Sequence, residues 1–344
     1  MKLLKLAPFC AAMALCATSA GARDFTIAGW GGNYQDAQRA AYFEPFAAQQ
    51  GGLKFIETTY LGGLAELKTM ADTGNVIWDL VIADGPTLQL GCDEGLLEPL
   101  DWDAIGGKDT LMPEAVTTCG AGNVVIGNGF AFNAETFPEG PKNWADFFDL
   151  QKFPGKRGIK NDPMMNLEYA LMADGVPPDQ VYEVLATPEG VDRAFAQFDK
   201  IKGELQYWDA GSQPVEWLAA NNVAMSTAYN GRIIMAAKEG KPLSYVWTNQ
   251  IYNIDAWAVP ANSPFKDQAM AFIKVANNAE NQAKFSSLMP YGPTNTEVVG
   301  LLPSEVAKNL PAGENIKDSL FMDDAFWTDH KDELTERWNN WATH

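Results

Sequence analysis

The sequence predicts an α/β protein of two lobes, and three observations carry that prediction. Short β-branched and aromatic runs alternate with amphipathic helical stretches, a pattern that favours mainly parallel sheets flanked by helices. The roughly 320 residues after position 22 exceed one typical core, so two domains are expected. No repeat, low-complexity tract or Gly/Ser-rich linker divides the chain, so the lobes should be joined by ordered crossings.

The first segment lies outside that fold. Residues 1–22, "MKLLKLAPFCAAMALCATSAGA", combine basic Lys2 and Lys5, an apolar stretch from Leu6 to Ala17 and small residues at Ala20 and Ala22, the pattern of a cleavable secretory signal. The stretch is short for a membrane span, and no later segment reaches the roughly 20 apolar residues one needs. Leu15 before Cys16 argues against lipid attachment, which wants small residues there. Strands are then expected at "FTIAG" (25–29), "LKFIET" (53–58), "WDLVIAD" (78–84), "NVVIGNGFAF" (123–132), "NVAMSTAY" (222–229) and "LSYVW" (243–247). Helical periodicity marks 33–50, 64–74 and 190–203. The C-terminal third turns helical through 267–288 and 329–344.

One strand raises a question. "IYNIDAWAVP" (251–260) is a buried-strand run with a carboxylate, Asp255, in its middle. An unpaired buried carboxylate is costly, so Asp255 needs water, a protein partner or a cation brought from outside. The third option would define a binding site.

Composition narrows the partners. Residues 1–22 hold two lysines and no acid, so 23 basic residues face 44 acidic ones in the remainder. Such a field disfavours nucleic acid and anionic lipid and draws small cations; it also serves plain solubility. Cys10 and Cys16 leave with the signal. Cys92 and Cys119 then meet an oxidising compartment, where a disulfide is expected and two buried thiols are the alternative. With only His330 and His344, both near the C-terminus, most nucleophile–histidine mechanisms and zinc sites are unsupported. No phosphate-binding, nucleophile-elbow or dinucleotide motif occurs, and "GWGG" (29–32) lacks the spacing of the last. Neither an enzyme, nor a cofactor, nor a metal is expected. A ferric-iron binder would want clustered tyrosines, and adjacent tyrosines are absent.

Aromatics and acids instead collect where strands run out: Trp30 after "FTIAG", Asp84 after "DLVIA", Tyr229 in "AMSTAYNGR" and Tyr291 in "MPYGPTN". Carboxyl ends of parallel strands face the crevice of open α/β sheets. Rings and carboxylates together suit an ammonium group through cation–π attraction and charge-assisted hydrogen bonds, with Asp255 as anchor. Each has a structural alternative: Trp30 as core, Asp84 as a helix cap, Tyr229 and Tyr291 as turn braces.

From about Asp24 onward, the ordered set "AGWGGNYQDAQRAAYFEPF", "WDLVIAD", "NVAMSTAYNGR", "IYNIDAWAVPANSP", "DQAMAFIKVANNAENQAKF" and "YGPTN" resembles the periplasmic substrate-binding proteins of ABC importers, specifically the spermidine/putrescine-binding branch. The resemblance implies a two-lobed periplasmic-binding-protein fold that closes on a solute and presents it to an inner-membrane permease. It implies a monomeric periplasmic protein, with residues 23–132 and 258–344 in lobe one, C-terminal helices included, and 133–257 in lobe two. It places ligand contacts at Trp30, Asp84, Tyr229 and Asp255, and a further acid at Asp162. Asn253, Pro86 and Met165 depart from the family pattern, so part of the aromatic box and one acid are missing. Arg232, close after Tyr229, opens an alternative. If it faces the cleft, it offers a bidentate clamp for the carboxylate of an ω-amino acid such as 4-aminobutyrate; if it pairs with a protein acid, the cleft stays anionic. The extra carboxylate of Asp84 tips the expectation towards a putrescine- or spermidine-like polyamine. A sensor subunit delivering ligand to a chemoreceptor would read the same in sequence.

Overall fold

The computed structural model describes residues 23–343; the signal-peptide reading concerns residues 1–22 and lies outside them. Ten strands form one sheet: β1 (Phe25–Gly29), β2 (Phe55–Thr59), β3 (Leu80–Ala83), β4 (Gly120–Asn133), β5 (Arg157–Lys160), β6 (Leu205–Trp208), β7 (Met225–Tyr229), β8 (Leu243–Ala258), β9 (Gly292–Pro293) and β10 (Leu320–Phe321). The order is β2-β1-β3-β8-β4-β7-β5-β6, with β9 on β4 and β10 on β8. The outer pairs β1–β2, β1–β3, β5–β6 and β5–β7 are parallel, as the strand–helix alternation predicts. The middle is antiparallel, because β4 and β8 run past each other in opposite directions through both halves. The sheet is therefore mixed.

Those two long strands are the ordered crossings between the lobes. Gly120–Asn128 pairs with the end of β8 in lobe one, and Phe130–Asn133 pairs with its beginning in lobe two. The register slips between Asn128 and Phe130, opposite a stretch of β8 that contains Asn249 at φ 51°. Gly129 sits at the slip, where a Cβ would come within 2.7 Å of the Tyr245 hydroxyl. The strand expected at 243–247 and the run at 251–260 are thus one element bent at the lobe boundary.

Each lobe has its own core. Lobe one buries Phe25, Ile27, Phe43, Phe46, Trp257 and Phe272 between sheet and helices. All five residues of β1 are buried, which fits an apolar run covered on both faces. Lobe two packs Phe130, Trp144, Phe147, Leu167 and Phe198. Strands β5 and β6 escape the periodicity reading because neither is an apolar run: β5 begins with a charge, and β6 is only partly buried along most of its length. That charge, Arg157, is fully buried and donates to the carbonyls of Phe147 (2.6 Å), Gly155 (2.5 Å), Asp149 (3.2 Å) and Phe153 (2.6 Å). Four acceptors replace its lost water.

The lobe boundaries expected from the sequence need one correction. The C-terminal helix Asp324–Thr343 does not pack in the core of lobe one: Trp327, Leu334 and Trp338 belong to the core of lobe two, with Trp338 edge-on to Phe198 at 5.5 Å. Its tryptophans find aromatic surface there, while its first turn rests against the helix Gly85–Asp93 of lobe one. Among the described residues, no helix is long and apolar enough to cross a membrane.

Candidate functional site

A cleft of about 600 Å³ opens where the lobes meet, and Asp255 lies on its wall. Asp255 occupies β8 opposite Val124 of β4, so regular strand backbone holds its carboxylate in place. Only 4 % of the residue is exposed. Its Oδ2 accepts a hydrogen bond from the Trp30 indole N–H at 2.8 Å, and among the described residues no donor reaches Oδ1. Burial, above all, pushes this carboxyl up to about 7; the Trp30 N–H pulls it down, and the charges of Asp84 and Asp324 push it further up. A carboxylate so placed gains from an arriving cation.

Trp30 follows β1, and its ring stacks on Tyr60 with centroids 5.1 Å apart and planes 13° from parallel. The Tyr60 hydroxyl donates to the carbonyl of Ile82 at 2.7 Å. Tyr60 thus holds the indole at the angle that meets Asp255. Deeper in the cleft, Tyr34 accepts from Asn123 Nδ2 at 2.8 Å and lies edge-on to Tyr291, 6.0 Å away. Tyr291 is brought in by the turn before β9, and its hydroxyl is raised to about 12, chiefly by burial; Arg232 opposes the rise and Asp255 adds to it. It therefore feels both the cation and the carboxylate of the cleft.

Arg232 stands in the first turn of the helix Asn230–Lys238 and lines the same cleft. Its guanidinium forms no ion pair with a protein acid among the described residues, although Glu216 and Glu239 also line the cleft. Of the two placements considered for Arg232, the cleft-facing one is found. The cleft consequently carries an unpaired cation on its lobe-two side and a half-satisfied carboxylate on its lobe-one side.

The remaining candidates are distributed differently. Asp84 caps the helix Gly85–Asp93, its Oδ1 accepting from Thr87 N–H at 3.0 Å, and acts on Asp255 by charge rather than by lining the cleft. Tyr229 closes β7, lies edge-on to Trp208 at 5.7 Å and lines a smaller neighbouring cavity with Asn128 and Lys160. Asp162 is off both linings: it pairs with Lys160 at 3.3 Å and accepts from Met164 N–H at 3.0 Å. The sequence left open whether Asp162 reaches the ligand; here its carboxylate is engaged by Lys160 and by the backbone two residues on. Cys92 and Cys119 form a disulfide with Cα atoms 5.8 Å apart. Among the described residues, no group of three or more His, Cys, Asp or Glu is arranged to hold a metal. Sequence reasoning missed Tyr34, hidden in a helical stretch that reads as core, and Tyr60, which gave no signal beyond its position after β2.

Comparison with known proteins bears on the family and the fold. Residues 41–312 match the family described as bacterial extracellular solute-binding protein. A gamma-aminobutyric acid-binding protein of Pseudomonas aeruginosa is 42 % identical over 327 residues, covering 95 % of this chain and 93 % of that protein. A solved GABA receptor is 33 % identical with a TM-score of 0.82, covering 93 % of this chain and 98 % of its own. An ABC transporter substrate-binding protein from Bradyrhizobium japonicum is 30 % identical with a TM-score of 0.84, covering 92 % and 99 %.

Proposed function

This chain belongs to the bacterial extracellular solute-binding proteins, and from that premise we propose that it captures a zwitterionic ω-amino acid, with 4-aminobutyrate as the leading candidate, for an ABC importer. The observation that carries the ligand reading is the pairing of an unpartnered Arg232 with a half-satisfied Asp255 in one cleft. Asp255 Oδ1 receives the ammonium, and the Trp30 and Tyr291 rings flank it. Arg232 receives the carboxylate by its two-pronged donor geometry. A diamine would bring a second cation towards Arg232 and leave that guanidinium repelled. The polyamine expectation therefore gives way to its alternative, which the 4-aminobutyrate-binding relatives also favour.

No bond is made or broken in this role. The solute binds the open cleft, and closure is favoured only by contacts that the closed form alone makes. The closed protein then docks on a permease from the periplasmic side, as the resemblance to importer subunits suggests.

A thermal-shift and calorimetric screen tests the reading. The mature protein should be stabilised by 4-aminobutyrate and not by putrescine or spermidine, by about 2.7 kcal/mol at a hundredfold excess over Kd. Asp255→Asn and Arg232→Gln should each abolish the response. Stabilisation by diamines that Arg232→Gln preserves would restore the polyamine assignment.

A further inference from the structure

The motif "YNGR" (229–232) holds two residues that the ligand reading leaves unexplained, Asn230 and Gly231. Asn230 is fully buried, and both ends of its amide are committed across the lobe junction. Its Oδ1 accepts from the Gly127 N–H of β4 at 3.0 Å, and its Nδ2 donates to the Pro290 carbonyl at 2.6 Å. It begins the helix that carries Arg232 two residues on. Pro290 leads into Tyr291 and then β9, whose Gly292 and Pro293 pair with Val125 and Val124 of β4. Val124 in turn lies opposite Asp255. A short path of hydrogen-bonded backbone therefore joins the base of Arg232 to the base of Asp255, and the Asn230 side chain is a link in it.

Gly231 completes the junction. The Tyr291 ring packs directly on its backbone, so that a Cβ there would come within 2.6 Å of the ring. The ring that flanks the cleft is thus seated on the same helix turn that Asn230 pins. Asn230 is not among the residues that line the cleft, whereas Gly231 borders it beside Arg232.

Resting on the zwitterion reading, we propose that Asn230, with Gly231 as its seat for Tyr291, is a positioning residue that sets the separation of Arg232 from Asp255 and thereby the chain length of the ω-amino acid selected. A link of this kind at the lobe junction sets the distance between cation and carboxylate in the closed form, and so a preference among otherwise identical ligands. Each added methylene moves the two charged ends of the ligand apart, so a ligand of the wrong length must leave one of the two charges poorly met.

The test is a chain-length profile, measured by calorimetry with β-alanine, 4-aminobutyrate, 5-aminovalerate and 6-aminohexanoate. The parent should favour one length. Asn230→Asp keeps the acceptor for Gly127 and sets an oxygen against the Pro290 carbonyl; it should lower affinity for the favoured length by about tenfold or more and for its longer neighbour by less, flattening the profile. Gly231→Ala keeps both Asn230 bonds and displaces Tyr291, and it should also change the profile. It serves as the second variant should Asn230→Asp fail to fold. In a Tyr291→Ala background, Gly231→Ala should have no further effect. A common loss for all four ligands with an unchanged profile, in whichever variants fold, would make the junction purely structural and overturn the proposal. A parent that binds none of the four would overturn the zwitterion reading and the selector with it.

Discussion

At the scale of the residue, the molecule turns on one carboxylate whose surroundings work against its charge. Asp255 titrates near 7 against an ordinary value of 3.8, mainly because it is buried. A carboxyl raised on folding contributes stability that is complete below its unfolded pKa and is lost as pH rises through its folded one. The ligand-free protein should therefore lose stability between about pH 4 and 7, and Asp255→Asn should reduce that slope in urea titrations; Asp324 and Glu168, also raised to about 7, account for part of the remainder. Binding an ammonium favours the charged form. At pH 6, capture of 4-aminobutyrate should release close to one proton, seen as a dependence of the calorimetric enthalpy on buffer ionisation. Affinity should rise with pH between 6 and 8, and an enthalpy independent of buffer would disprove the coupling. The placing of Asp255 in a buried strand was legible in the sequence because apolar neighbours on both sides mark the run. The freedom of Arg232 was not, because acids lie nearby on its own and a neighbouring helix and only side-chain placement decides whether they pair.

At the scale of the element, short segments are held by devices at their two ends. The helix Gly85–Asp93 is capped at its start by Asp84 and tied near its end by Cys92 to Cys119, just before β4. The closed loop spans 27 positions, so replacing both cysteines by alanine should cost about 3–4 kcal/mol in urea unfolding on the loop-entropy estimate. Ligand affinity should stay within about threefold, because the Asp84 end of the helix, nearer the cleft, keeps its cap. A large loss of affinity would mean that the disulfide shapes the cleft directly. Strands β1, β3 and β4 were legible from their apolar runs. Strands β5 and β6 were not, since Arg157 satisfies its burial through four carbonyls that no local pattern reveals.

At the scale of the whole molecule, chain order and lobe membership part company. The last helix, Asp324–Thr343, closes the core of lobe two with Trp327, Leu334 and Trp338, and the Trp327 N–H donates at 2.6 Å to Glu168, which is fully buried. Removing residues 324–344 should raise amide exchange across 144–201 while β1 and β3 stay protected, as measured by hydrogen-exchange mass spectrometry. Loss of protection in lobe one first would contradict the assignment. By itself, the sequence determined the alternation of strands and helices, the two-lobed class, the strand that bears Asp255 and the aromatic character of the cleft. Those properties follow from periodicity and residue type, which act over a few neighbouring positions. Tertiary structure decided the antiparallel middle of the sheet, the home of the last helix, the turning of Asp162 away from the cleft and the unpaired state of Arg232. Each of these depends on which distant surface or partner a side chain meets, and such competition between contacts is resolved only when the whole chain is packed.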